Sequence, residues 1–260
     1  MSTPTTILHT EIFGDATKPT LVFVGSLGSN ISMWQPQHEL EDRFRIVLVD
    51  LTGHGASPVP PAPYTIDQMA DDVMATLKQK YDITHASFVG LSIGGAIVQS
   101  LLTRHAHAVD CAVLACTAAK FGTPDTWQER IDTVREQGVS ALAAGVAQRW
   151  FTPPFGEQGY YERYTEMISQ TAAEGYIGSA SALQYFDSHE ALAAVKQTPV
   201  LVISAADDQS TTPEVCQDLA DSIEHAQFVS IDNAAHLVNI EQAKEFNETV
   251  SRFVSEHARL

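Results

Sequence analysis

Basic residues are scarce in this chain: 15 lysines and arginines stand against 32 aspartates and glutamates over 260 residues, a formal net charge of -17. That field repels polyanions, which argues against nucleic acid or an anionic membrane surface as partner and favours a small molecule. An anionic small molecule would be held only where a few local cations reverse the potential. Cysteine is equally sparse. Cys111, Cys116 and Cys216 form no CxxC pair and have no histidine at zinc-binding spacing. A disulfide scaffold and a metal knuckle are therefore excluded, and the thiols read as buried side chains in a reducing cytoplasm. Neither a metal nor a cofactor is expected. No run of about 18 apolar residues occurs, which excludes a membrane-spanning helix. The opening "MSTPTTILHT" lacks the basic region and apolar core of a secretion signal. Internal repeats and low-complexity segments are absent as well. The expectation is a soluble, cytoplasmic protein whose 44% hydrophobic residues fill one large core.

What is present is an alternation of two periodicities. Runs at 6–13, 20–25, 45–50, 86–90 and 111–116 are short, rich in Val, Ile and Phe, and bounded by turn residues. The last four read as buried parallel strands. Longer segments between them carry apolar residues at helical spacing, such as Ile66, Met69, Val73 and Leu77. From about 119 to 190 the strand signal disappears, leaving amphipathic helices broken by "FTPPFG"; strands return at 199–204 and 226–232. The pattern predicts an α/β fold with a mostly parallel, doubly wound sheet. Residues 1–118 and 191–260 form its two parts, and 119–190 an inserted helical cap.

The stretch "FVGLSIGGAIVQSLL", residues 88 to 102, starts as a strand and ends as a helix, with Ser92 on the corner between Gly90 and Gly94. GxSxG at that position is the nucleophile elbow, in which a strained turn lifts a hydroxyl above the carboxyl edge of a sheet. The glycines have a steric reason, because a Cβ at 90 or 94 meets neighbouring backbone. Two plainer readings compete. Five such residues also make an ordinary strand-to-helix connection, and "GLSIGG" is a phosphate cradle with serine in place of its second glycine.

A serine hydroxyl needs a base, and the base a third group to hold it, in the chain order Ser, Asp or Glu, His. Asp207 and Asp208 follow the strand "PVLVIS", and His236 follows the strand ending at "SID". His54 in "LTGHGAS" competes for the base, since it too follows a strand; it precedes the serine and reads instead as a site-lining or turn residue. Spacing alone does not decide between Asp207 and Asp208. Two N–H groups are candidates for holding an oxyanion: Ile93, which opens the helix, and Leu27, in the glycine-rich loop "GSLGSN".

With these residues placed, the chain resembles the α/β-hydrolases over nearly its full length, and among them the 3-oxoadipate enol-lactonases. The likeness lies in "SLGSNISMWQPQ", "FRIVLVDLTGHGASPVPPAPYTI", "FVGLSIGG", "RWFTPPF", "LVISAADDQSTTP" and "DNAAHLVNIEQ". It implies Ser92 as nucleophile, His236 as base and Asp208 as the acid, at the fourth position of a GxxD turn in which Ala205 replaces the usual glycine. Ile93 and Gly25 also depart from that family's usual residues. The resemblance further implies a cytoplasmic enzyme of aromatic-compound breakdown, acting on a small anionic lactone. Its carboxylate would need cations in the cap, where Arg130, Arg135, Arg149, Arg163 and Lys120 lie. Arg149 beside Trp150 is the first choice, Arg130 beside Trp127 the second. Another ester or lactone hydrolase, a C–C bond hydrolase, or a ligand-binding protein on the same fold are the competing expectations. The sequence leaves oligomeric state open.

Overall fold

The apolar runs become seven strands in a computed structural model that describes residues 5–259. These are β1 (Thr10–Phe13), β2 (Thr20–Val24), β3 (Arg45–Val49), β4 (Ala86–Leu91), β5 (Val109–Ala115), β6 (Val200–Ala205) and β7 (Gln227–Ile231). They form one sheet in the order β1-β3-β2-β4-β5-β6-β7. β1 pairs antiparallel with β3, and the other pairings are parallel. β4 and β5 are buried along their whole length, so they read as unbroken apolar runs instead of alternating ones. The first strand is shorter than its sequence run. Ahead of Thr10 the backbone turns to side chains: Thr6 N–H donates to Asp72 and Leu8 N–H to Thr76 Oγ1, at 2.7 and 2.9 Å.

Helix α1 (Ile66–Tyr81) begins where the Thr65 hydroxyl accepts from Gln68 N–H, and it buries Ile66, Met69, Val73 and Leu77 as one stripe. It leads from β3 at one side of β2 to β4 at the other. That reversal of direction creates a switch point between β2 and β4, where α/β sheets open a crevice. Helix α2 (Ile93–Arg104) follows β4 and packs on β2, β4 and β5; its first ten residues are all buried. Pairings such as Val24 with Gly90, Leu91 with Ala115, Ala115 with Ile203 and Ala205 with Ile231 bring the carboxyl ends of five strands to one edge.

Between β5 and β6 the chain is helical: α3 (Pro124–Gln137), α4 (Ser140–Trp150), the short α5 (Pro153–Phe155), α6 (Tyr161–Ser169), α7 (Ala173–Gln184) and α8 (His189–Leu192). α3 starts on a capping box of Thr123 and Thr126 with Pro124 at its first position. The ends of the inserted segment meet, with Ser188 N–H donating to Ala119 O at 3.0 Å. α7 stands directly on the loop after β3: a Cβ at Gly175 would collide with the backbone of Gly53. Beyond β6 come α9 (Pro213–Asp221), α10 (Val238–Glu241) and α11 (Ala243–His257). Among the described residues, no helix is long and apolar enough to cross a membrane.

Candidate active site

Ser92 stands between β4 and α2 at φ 59°, ψ -120°, a backbone region that an L-residue enters only under strain. The surroundings hold it there. Its N–H donates to Ala115 O at 3.0 Å, its carbonyl accepts from Thr117 Oγ1 at 2.7 Å, and Ala96 N–H reaches the same oxygen. The expected steric role of the glycines is met atom by atom. A Cβ on Gly90 would collide with the Gly94 carbonyl, and one on Gly94 with the Val24 carbonyl. Gly94 N–H also donates to Gly25 O at 3.1 Å, so the elbow is fastened to the end of β2.

Spacing left Asp207 and Asp208 equal, and the resemblance implied Asp208; in the fold their surroundings differ. The turn after β6 closes through Asp208 N–H to Ala205 O at 3.1 Å, leaving Asp207 exposed and Asp208 buried. Asp208 Oδ2 lies 2.8 Å from His236 Nδ1. Ser210 N–H and Thr211 N–H donate to Asp208 Oδ1 at 2.7 and 3.2 Å, and the Thr211 hydroxyl donates to Oδ2 at 2.7 Å. Burial by itself would raise the Asp208 pKa, but the His236 ring and these donors outweigh it and hold the carboxyl below its ordinary value. An ionised carboxylate only accepts, so Nδ1 of His236 carries the proton and Nε2 keeps the lone pair. Thr211 thus serves the aspartate with both its N–H and its hydroxyl.

The loop bearing His236 is anchored from two sides. Leu237 N–H donates to Trp150 O at 3.0 Å, and the Glu241 carboxylate accepts from both Ala235 N–H and Thr152 N–H. Buried Asn239 donates to Met33 O and Gln37 Oε1, at 2.9 and 3.1 Å. The imidazole is thereby placed by the junction of α4 and α5 and by the segment Ile31–Asp42 together.

Ser92, His236, Ser26 and Leu27 line one cavity of about 310 Å³, a size suited to a small ligand. Trp127, Arg130, Arg149 and Trp150 from the inserted helices line it too. An open cleft of about 1000 Å³, lined by Asp208 among others, shares Arg149 and Gln209 with it but reaches neither Ser92 nor His236. Among the described residues, the Ser92 hydroxyl makes no hydrogen bond, and the N–H groups of Leu27 and Ile93 have no protein acceptor. Ile93 itself is buried behind the serine and does not line the cavity.

The cations divide cleanly. Arg135 pairs with Asp132 on an exposed face of α3, and Arg163 lies exposed over Tyr164. Lys120 lines the cavity but is paired with Asp187. Arginine salt bridges among the described residues involve Arg104, Arg135 and Arg259. Arg130 and Arg149 have no carboxylate partner there. Arg130 sits 5.1 Å over the Trp127 ring. Burial, followed by the Arg130 charge, lowers the pKa of half-buried Arg149. Tyr176, which no sequence signal marked, joins the two arginines in the cavity wall; burial raises its pKa while both guanidinium groups oppose the rise.

Of the two expectations for His54, a site-lining or a turn residue, the structure corrects the first and meets the second: it does not line the cavity but sits in the turns after β3, its N–H donating to Leu51 O at 2.9 Å. Both its ring nitrogens are engaged behind the Leu27 loop, with Nε2 accepting from Gly28 N–H at 3.0 Å and Nδ1 3.2 Å from Thr52 O. A base needs a free lone pair, and this ring has none to offer.

A parallel sheet whose central strand breaks at a strained serine, with an Asp–His pair delivered from later strand ends, has the architecture of an α/β-hydrolase. A family model described as "alpha/beta hydrolase fold" matches residues 19–243, and the chain belongs to that family. Within it, the chain is 39% identical over 246 residues to 3-oxoadipate enol-lactonase 2 of Acinetobacter baylyi, covering 94% of this chain and 91% of that one. Identity to 3-oxoadipate enol-lactonase 1 of the same organism is 34% over 250 residues, 95% and 92% of the two chains. The crystal structure of the enol-lactonase from Burkholderia xenovorans LB400 superimposes with a TM-score of 0.91 at 36% identity, covering 95% and 96%.

Proposed function

We propose that the protein is a serine hydrolase that opens 3-oxoadipate enol-lactone with water to 3-oxoadipate, in the cytoplasmic breakdown of aromatic compounds. The observation that carries the substrate class is the pair Arg130 and Arg149. In a chain of net charge -17, two guanidinium groups without an acidic partner among the described residues face the cavity that holds Ser92 and His236. Leaving two cations partly desolvated and near one another is costly unless an anion completes the site. A planar guanidinium matches a carboxylate, and the lactone carries one. The identity to two enol-lactonases supports the same reading.

In this reading His236 Nε2 takes the Ser92 proton as Oγ attacks the lactone carbonyl. The developing oxyanion accepts from the N–H groups of Leu27 and Ile93. The ring C–O bond breaks, His236 returns the proton to the enolate oxygen, and the enol rearranges to the ketone. Water, deprotonated by His236, then attacks the acyl carbon, and Ser92 leaves with the proton. Asp208 holds the ring in the tautomer this sequence requires. The helices between β5 and β6 act as the cap that limits water. The test is direct: purified protein is mixed with the enol-lactone and the loss of its ultraviolet absorbance followed. A rate no faster than in buffer overturns the proposal.

A further inference from the structure

His54 is a buried titratable group that the mechanism does not use, and its partner adjoins a residue that the mechanism does use. Residues 26–29 form a turn closed by Ser29 N–H to Ser26 O at 3.1 Å and by Ser29 Oγ to the same oxygen at 2.7 Å. Gly28, its third residue, has φ +86°. Positive φ at that position marks a type II turn, whose central peptide rotates when the turn passes into type I. That peptide joins Leu27 to Gly28. Its N–H is the group held by His54 Nε2 at 3.0 Å.

The ring has one way to satisfy both neighbours. The Thr52 carbonyl can only accept, so Nδ1 carries the proton; the Gly28 N–H can only donate, so Nε2 carries the lone pair. Rotation of the Leu27–Gly28 peptide would turn a carbonyl oxygen on that lone pair. His54 is 1% exposed, and burial pushes its pKa down to about 4, against the raising effects of the Thr52 carbonyl and the Asp50 carboxylate. The far end of the loop is held from the same side, since Ile31 N–H donates to Asp50 Oδ1 at 2.8 Å. On the opposite side the loop meets the elbow through the Gly25 carbonyl.

We propose that His54 is a positioning residue for oxyanion stabilisation: its Nε2 lone pair locks the Leu27–Gly28 peptide, and the locked turn keeps Leu27 N–H available to the cavity. The proposal rests on the reading of Leu27 as an oxyanion donor. A merely structural histidine predicts lost stability with kcat and KM unaffected in the folded fraction. A positioning role predicts a split, because the oxyanion exists in the transition state and not in the bound lactone.

The experiment compares His54→Leu, which fills the space without an acceptor, with His54→Gln, whose Oε1 can take the Gly28 N–H. His54→Leu is expected to lower kcat by about tenfold or more with KM within about twofold, less than the ~100-fold typical of deleting an oxyanion donor outright. His54→Gln is expected to recover most of that loss. Unchanged kcat in the leucine variant, or an equal fall in both variants, overturns the proposal. Nitrogen-15 NMR of the wild-type ring adds a measurement that needs neither variant nor turnover: Nδ1 protonated and Nε2 bare between pH 6 and 8 is expected, and a proton on Nε2 overturns it. Wild-type protein inert toward the lactone would sink the proposed function while leaving the tautomer result to decide His54.

Discussion

Asp208 Oδ2 lies 2.8 Å from His236 Nδ1 across 28 residues of chain, while Asp207, next to it, is exposed. A one-residue difference in a turn thus separates a carboxylate that can orient a histidine from one that cannot. Asp208→Asn is expected to lower kcat by roughly 10,000-fold, because the amide can donate to Nδ1 and favour the wrong tautomer. Asp207→Asn should leave kcat unchanged. Steady-state kinetics of the two variants side by side makes the check.

The same carboxyl sets a pH dependence of stability. Its pKa in the folded chain is below the ordinary 3.8. A depressed carboxyl contributes stability fully above its unfolded value and loses it as pH falls through the folded value. The stability gap between wild type and Asp208→Asn should therefore be constant near neutrality and shrink below about pH 4. Denaturant titrations at several pH values test this; a gap that widens on acidification contradicts it.

Ser92→Ala removes the attacking oxygen and almost no volume. Turnover should fall by at least about 10,000-fold. Lactone binding, measured by calorimetry on the inactive variant, should persist.

Arg130 and Arg149 line the cavity without an acidic partner among the described residues, so their removal should act on charge recognition. Replacing both by alanine should raise KM for the anionic lactone by about tenfold to 100-fold, as for loss of charge-assisted hydrogen bonds. KM for a neutral ester of similar size should move much less. Equal changes for both substrates would remove the assignment.

A methyl group at Gly94 would strike the Val24 carbonyl, where β2 and the elbow meet. Gly94→Ala should cost about 3 kcal/mol or more, since backbone cannot step aside as a side chain can. Gly145, with open space around it, offers the control. Thermal melts of the two alanine variants give the comparison.

Much of this was legible along the chain because local periodicity reports local burial. The stripe Ile66, Met69, Val73 and Leu77 announced α1, and the unbroken run before Ser92 announced a strand buried on both faces. The glycines around the serine announced a turn that only they fit. The shortened β1 was not legible, since Thr6 and Leu8 spend their N–H groups on α1 side chains some 66 and 68 residues away.

The sequence by itself determined the alternation of strands and helices, the elbow at Ser92 and the order of its partners, because each depends on residues within a few positions of one another. Spacing did not choose between Asp207 and Asp208, which the resemblance alone had done, and the tertiary structure sets Asp208 against His236; it alone decided that His54 lies behind a loop and not in the cavity, and that Arg130 and Arg149 converge with Tyr176 while Arg135 and Arg163 face solvent. Those choices hang on strand register and on how α3, α4 and α7 settle over the sheet edge. A side chain's direction there is set by distant packing, which neighbouring residues in sequence do not encode.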